Sequence, residues 1–122
     1  MVNEKQNKLV VNNLELALRQ ADYRDIGFVY ELMRNHFENW FNEIPEGWSR
    51  KKFKEGYNPE RIVIIEHKNM PIGFFDLEMR DNHAYVHNLH ISRDYQGLWI
   101  GPRIIKLMEE EVDSELVKLA SA

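Results

Sequence analysis

Leu14, Leu16 and Leu18 alternate with Glu15, Ala17 and Arg19, and a period of two reads as a first strand. Asp22 follows as a helix N-cap, with Asp25 three residues on. Behind it Ile26, Val29, Tyr30, Met33, Phe37 and Trp40 recur at helical spacing, the clearest amphipathic helix in the chain. It runs to Phe41 and stops near Pro45-Glu46-Gly47. Ser49 caps a second, short helix anchored by Phe53 and ended by Gly56. The β-branched run Ile62-Val63-Ile64-Ile65 predicts a strand covered on both faces. His67 to Pro71 reads as a turn, and Ile72 to Met79 as a strand with Phe75, Leu77 and Met79 on one face. Asp81-Asn82-His83 closes a hairpin into a strand from Ala84 to Ser92. Strict alternation there places Tyr85, His87, Leu89 and Ile91 on one face, with Val86, Asn88 and His90 on the other. Pro102 suits the first turn of a last helix whose buried side is Ile104, Ile105, Met108 and Val112. Leu116 to Leu119 read as one more short strand, and residues 1–12 as a flexible lead.

This order implies the α+β (α/β) class, with a mixed, mostly antiparallel central sheet flanked by helices. A chain of 122 residues makes one domain, 1–122. The formal charge of −4 argues against nucleic acid as a partner, since phosphate binding needs a basic field. The absence of cysteine removes disulfides, thiolate catalysis and cysteine-based zinc sites, and fits a reducing compartment. Met1 to Lys8 are polar and lack the apolar core of a signal peptide, and no apolar run approaches a membrane span. The expectation is a cytoplasmic protein with no membrane partner.

The segment with chemistry is Ser92-Arg93-Asp94-Tyr95-Gln96-Gly97-Leu98-Trp99-Ile100-Gly101-Pro102-Arg103. A strand ending in a glycine-containing loop that opens a helix is a generic anion site, because the first N–H groups of a helix have no intrahelical partner and its dipole favours negative charge. Gly97 and Gly101 allow close backbone approach. On this local pattern alone, a phosphate cradle and a tight connection that binds nothing stand level.

From Leu14 to Val112 the chain resembles the GNAT superfamily of acyl-CoA-dependent N-acetyltransferases. The resemblance is carried by Leu18 to Asp25, a strand running into a capped helix, by Met70-Pro71-Ile72-Gly73-Phe74, and above all by Val86 to Gly101. The last looks like the family's cofactor motif, an apolar strand before Arg/Gln-x-x-Gly-x-Gly/Ala, with Gln96 and Gly101 at its ends. The resemblance implies that the fourth strand and the next splay apart and admit the pantetheine arm. Leu89, His90 and Ile91 would then offer backbone partners. Gln96, Gly97, Leu98, Trp99, Ile100, Gly101 and Arg103 would face the pyrophosphate of acetyl-CoA, with coenzyme A as the product. An amine, small or on a protein, would attack the thioester directly after losing a proton. In polyamine-acetylating relatives the position of His87 often carries a glutamate proposed as base, so His87 is the catalytic candidate; its bland reading is a half-buried strand histidine bonded to a neighbour.

Two features depart from the family pattern. Trp99 stands where glycine is usual, and a bulky residue takes positive φ only at a cost. The chain also ends where the family's fifth strand would finish, lacking the C-terminal helix and strands. This raises three alternatives: a fragment, a sheet completed by a second chain, or a catalytically silent module that binds CoA or a protein. A homodimer completing the sheet is the expectation. His83, His87 and His90 scatter over both strand faces, so no metal is expected. Asp76 and Glu78 lie within reach of a substrate amine on their strand face. Phe37, Trp40, Phe41 and Trp48 either line an acceptor site or are core. Arg50 to Lys54 and Glu109 to Glu111 read as solvated surface.

Overall fold

Short polar turns organise the sheet. The computed structural model describes residues 8–81 and 83–110. Asn12 and Asn13 take φ of 50° and 65°, and Lys68 and Asn69 take 53° and 65°. Two left-handed residues in succession match the twist of a two-residue hairpin. The first turn joins β1 (Lys8–Val11) to β2 (Leu14–Gln20), and the second joins β3 (Ile62–His67) to β4 (Met70–Arg80). With β5 (His83–Ile91) the sheet runs in the order β1-β2-β3-β4-β5, every neighbouring pair antiparallel. Residues 8–11 are therefore a strand, not part of a flexible lead. Leu9 and Val11 are buried while Lys8 and Val10 are exposed, too short an alternation to stand out in the sequence.

Helices α1 (Ile26–Phe41) and α2 (Arg50–Gly56) cover one face of the sheet, and α3 (Ile100–Glu110) covers the other. β3 feeds both cores, as its unbroken apolar run implies. Val63 and Ile65 join Leu16, Leu18, Phe75, Leu77, Ile100 and Ile104 on the α3 side, while Ile62 and Ile64 join Val29, Tyr57 and Phe74 on the α1 side. α3 begins at Ile100, two residues before the start that Pro102 suggests. Proline within the first turn costs no hydrogen bond there. Residues 116–119 lie outside the described residues.

The entry to α1 is held by charge. Asp22 caps a single 3-10 turn, Tyr23–Asp25, and the Asp25 carboxylate accepts back from the Asp22 N–H at 2.9 Å. Arg19 of β2 donates to both Asp25 oxygens, at 2.9 and 2.7 Å, and to Glu66 of β3 at 3.0 Å. Burial pushes the Asp25 pKa up, but the hydrogen bonds from Arg19 and Asp22 outweigh it and hold the carboxyl below its ordinary value.

β5 departs from strict alternation. Phe74 lies opposite His90 and Asp76 opposite His87, so Phe75 alone faces both Asn88 and Leu89. This is a β-bulge, and Asn88 takes φ of 50° to make it. The extra residue swaps the faces beyond it. Leu89 and Ile91 pack with Val86 on the α3 side, while His90 meets His36 and Phe74 on the α1 side. The face shared by His87, Leu89 and Ile91 in the alternation reading does not exist.

Candidate acyl-coenzyme A site

The bulge and the loop after β5 shape two adjoining cavities. One, of about 490 Å³, lies between α1 and the end of β5, with Asn35, His36, Asn39, Leu89, His90 and Arg93 in its lining. The other, of about 390 Å³, runs over the loop itself, from Tyr95 to Pro102. Both are lined by Ile91 and Gln96, so one opens onto the other.

The loop is held at both ends. Gln96 Nε2 donates to the Ile91 carbonyl at 3.0 Å, and Asn12 Nδ2, from the first hairpin turn, donates to the Leu98 carbonyl at 2.6 Å. Gly97 takes φ of 80° and Trp99 takes φ of 65°. Trp99 thus adopts the conformation glycine would, at a cost of about 1–2 kcal/mol, and the residue is 70% exposed. The result is a run of backbone donors. Among the described residues, the N–H groups of Gly97, Leu98, Trp99, Ile100 and Gly101 donate to nothing. Arg103 differs: its N–H is spent on the Trp99 carbonyl at 3.1 Å, and its side chain does not line the loop cavity. Its Nη1 is buried without a hydrogen-bond partner among the described residues.

His87 lies apart from both cavities. Its Nε2 is 3.3 Å from Glu78 Oε1, on the sheet face where Arg61 holds Asp76 at 2.9 Å. Burial raises the Glu78 pKa, but His87, Arg80 and Arg61 together hold it low. Asp76 and Glu78 are thus engaged with protein cations. Of the aromatic group, Trp40 lines the larger cavity, while Phe37 packs edge-on against Trp48 with centroids 5.3 Å apart. Among the described residues no group of three or more metal-ligating side chains comes together.

The residue that the sequence reading passed over is His36. It lines the larger cavity from α1, and its ring lies 4.6 Å from that of His90, centroid to centroid. Its signal was a polar ring one helical turn before Trp40, legible only once the bulge turns His90 to the same side.

The sequence profile of the Acetyltransferase (GNAT) family matches residues 26–120. The chain belongs to this family. None of the curated proteins matches it. Among solved structures, a GNAT-family acetyltransferase from Listeria monocytogenes superposes with a TM-score of 0.62 at 15% identity, over 85% of this chain and 73% of that one. The paia N-acetyltransferase from Thermoplasma acidophilum, in complex with coenzyme A, gives 0.59 at 16%, over 85% and 74%. N-acetylglutamate synthase from Neisseria gonorrhoeae, complexed with coenzyme A and N-acetyl-glutamate, gives 0.57 at 21%, over 80% of this chain but 22% of that one. At these identities the likeness is one of fold. In this GNAT chain the five described strands and three helices form the α+β arrangement expected of the family.

Proposed function

We propose that this chain binds acetyl-coenzyme A and transfers the acetyl group to a primary amine by direct attack on the thioester. The observation that carries the reading is the row of unspent N–H groups from Gly97 to Gly101 at the start of α3. Donors fixed in this way, at the positive end of a helix dipole, suit a pyrophosphate. Pro102 has no N–H to add. Arg103, in the first turn of α3, adds positive charge to the same end of the helix. The pantetheine arm runs from the loop cavity into the larger one, past Ile91 and Gln96, along the edge of β5 that is unpaired among the described residues. This brings the thioester beside Leu89 and His90. A hydrogen-bond donor at the carbonyl there stabilises the charge that develops as the amine attacks.

The neighbours in complex with coenzyme A support the cosubstrate. Titration of the chain with coenzyme A by calorimetry, followed by thiol release from acetyl-CoA across a panel of amines, tests both halves. Heat on titration and amine-dependent thiol release are the expected results. Heat without thiol release would make the chain a silent CoA-binding module, and no heat at millimolar ligand would remove the binding site altogether. The exposed Trp99 at the loop favours keeping the silent module as the second reading. A homodimer in which a second copy completes the sheet is part of the same proposal, and a monomer by light scattering would exclude it. Among the described residues no helix is long and apolar enough to cross a membrane. A cytoplasmic setting, where acetyl-CoA is made and used, is part of the same proposal.

A further inference from the structure

The cavity between α1 and β5 contains two imidazoles that the mechanism above does not use. His36 projects from α1 and His90 from β5 just past the bulge, with ring centroids 4.6 Å apart and planes at 65°. Phe74 of β4 backs the His90 ring at 5.3 Å. Nε2 of His90 is buried and has no hydrogen-bond partner among the described residues. A buried polar atom left unpaired is costly, and its persistence calls for an explanation. The groups facing the pair are neutral except one. Asn35, Asn39 and Trp40 come from α1, Phe74 from β4, and Gln96 and the charged Arg93 from the segment after β5. Among the described residues no carboxylate lines the cavity.

We propose that His36 takes the proton from the acceptor amine, and that His90 is the positioning residue that holds the imidazolium formed. This rests on the acetyl-transfer reading above. Among the described residues of the lining an imidazole is the available proton acceptor, and imidazole is the side chain suited to that task near neutral pH. Burial, reinforced by the neighbouring His36, lowers the His90 pKa to about 4. His90 is therefore neutral at pH 7 and too weak a base itself, but its Nε2 lone pair can accept a hydrogen bond. A protonated His36 carries two N–H donors, one received from the amine and one available to that lone pair. The orphaned nitrogen gains its partner as the proton is taken up.

The amine arrives as an ammonium ion, and a His36 ring nitrogen takes one of its protons. The freed nitrogen lone pair bonds to the thioester carbonyl carbon. The C–S bond then breaks, and the second proton lost by that nitrogen passes to the departing thiolate to give coenzyme A as the thiol. His36 returns its proton to solvent. Amide, thiol and one proton are the products.

The test compares the full chain with its His36→Asn, His36→Gln, His36→Ala and His90→Phe variants. It measures initial rate against pH with acetyl-CoA and the best amine of the panel, coenzyme A affinity by calorimetry, and histidine ring titration by NMR. His36→Asn and His36→Gln are expected to lose at least ~100-fold in kcat/KM and the wild-type pH inflection, with coenzyme A affinity within about twofold. Added imidazole is expected to restore His36→Ala by about tenfold or more. His90→Phe is expected to lose about tenfold and to move the ring titration of His36. His36→Asn and His36→Gln within about threefold of wild type, with the inflection kept, would overturn the base assignment while acetyl transfer stands. An unmoved His36 titration in His90→Phe would overturn the positioning role. Wild type that binds coenzyme A but acetylates no amine would overturn the transfer reading, and this proposal with it.

Discussion

Two sets of polar groups flank this sheet, one at the entry to α1 and one around β5 and α3, and they end differently. Around Arg19 every strong donor and acceptor is matched: both Asp25 oxygens take guanidinium N–H groups, Glu66 takes the third, and the Asp22 N–H closes the ring. Around β5 and the start of α3 the matching stops. His90 Nε2 and Arg103 Nη1 are buried without partners among the described residues. Both clusters cost desolvation. The first recovers it within the chain, and so serves the fold by tying β2 and β3 to the turn that starts α1. The second leaves His90 Nε2 at the cavity between α1 and β5, and Arg103 Nη1 on α3, without partners among the described residues, and a free buried nitrogen belongs to a site that something else completes.

If this contrast is right, the closed cluster reads out in stability and the open one in binding and pH. The largest effect belongs to Arg19→Met, which strands the Asp25 carboxylate without its cation. Urea denaturation should show a loss of about 3 kcal/mol, the low end for a broken buried pair because the Arg19 side chain is 37% exposed. A loss below about 1 kcal/mol would erase the distinction between the clusters.

Next comes pH. His90 titrates near 4 when folded against an ordinary 6.5, so the unfolded chain binds the proton more readily. Its stability contribution is full above about pH 6.5 and falls away toward pH 4, by about 3 kcal/mol at most. Asp25, whose folded pKa is lowered from 3.8, keeps its contribution until the pH falls through that lower value. Denaturation midpoints between pH 7 and 4.5 should therefore decline in wild type and flatten in His90→Phe. Parallel profiles would break the assignment of the acid limb to His90.

Arg103→Met sharpens the contrast from the ligand side. With no bond to lose from Nη1 among the described residues, thermal stability should hold, while coenzyme A affinity falls about tenfold by calorimetry. The smallest effect is expected at Trp99. Trp99→Gly relieves the left-handed strain and should raise stability by about 1 kcal/mol, seen as an upward shift in Tm. A fall instead would show that the exposed indole packs on the loop enough to offset its backbone.

The elements were legible because their periodicities are long and clean: the heavy apolar spacing of α1, the four β-branched residues of β3, the caps at Asp22 and Ser49. The loop was legible because chemistry and position coincide there, a glycine-bearing corner leading into a helix. The rest was hidden for local reasons. β1 is four residues long, with two buried side chains to mark it. The bulge inserts a residue that no hydrophobic count registers, and its one trace is an asparagine, the side chain that best tolerates positive φ after glycine. That single residue moved His90 to the α1 side and left His87 with Glu78. His36 needed two separated elements to meet before its polar ring meant anything.

Gly73 now takes on a different weight. A methyl group at that position would stand 2.7 Å from the His90 carbonyl oxygen and 2.9 Å from Ile91 Cδ1, so β5 would have to shift outward to make room. The bare backbone at 73 therefore works as a spacer of zero thickness. It sets how deeply the strand carrying His90 seats against β4, and so the distance across to α1. Side chains of graded size at this one site would retune the width of the cavity without altering any residue that lines it.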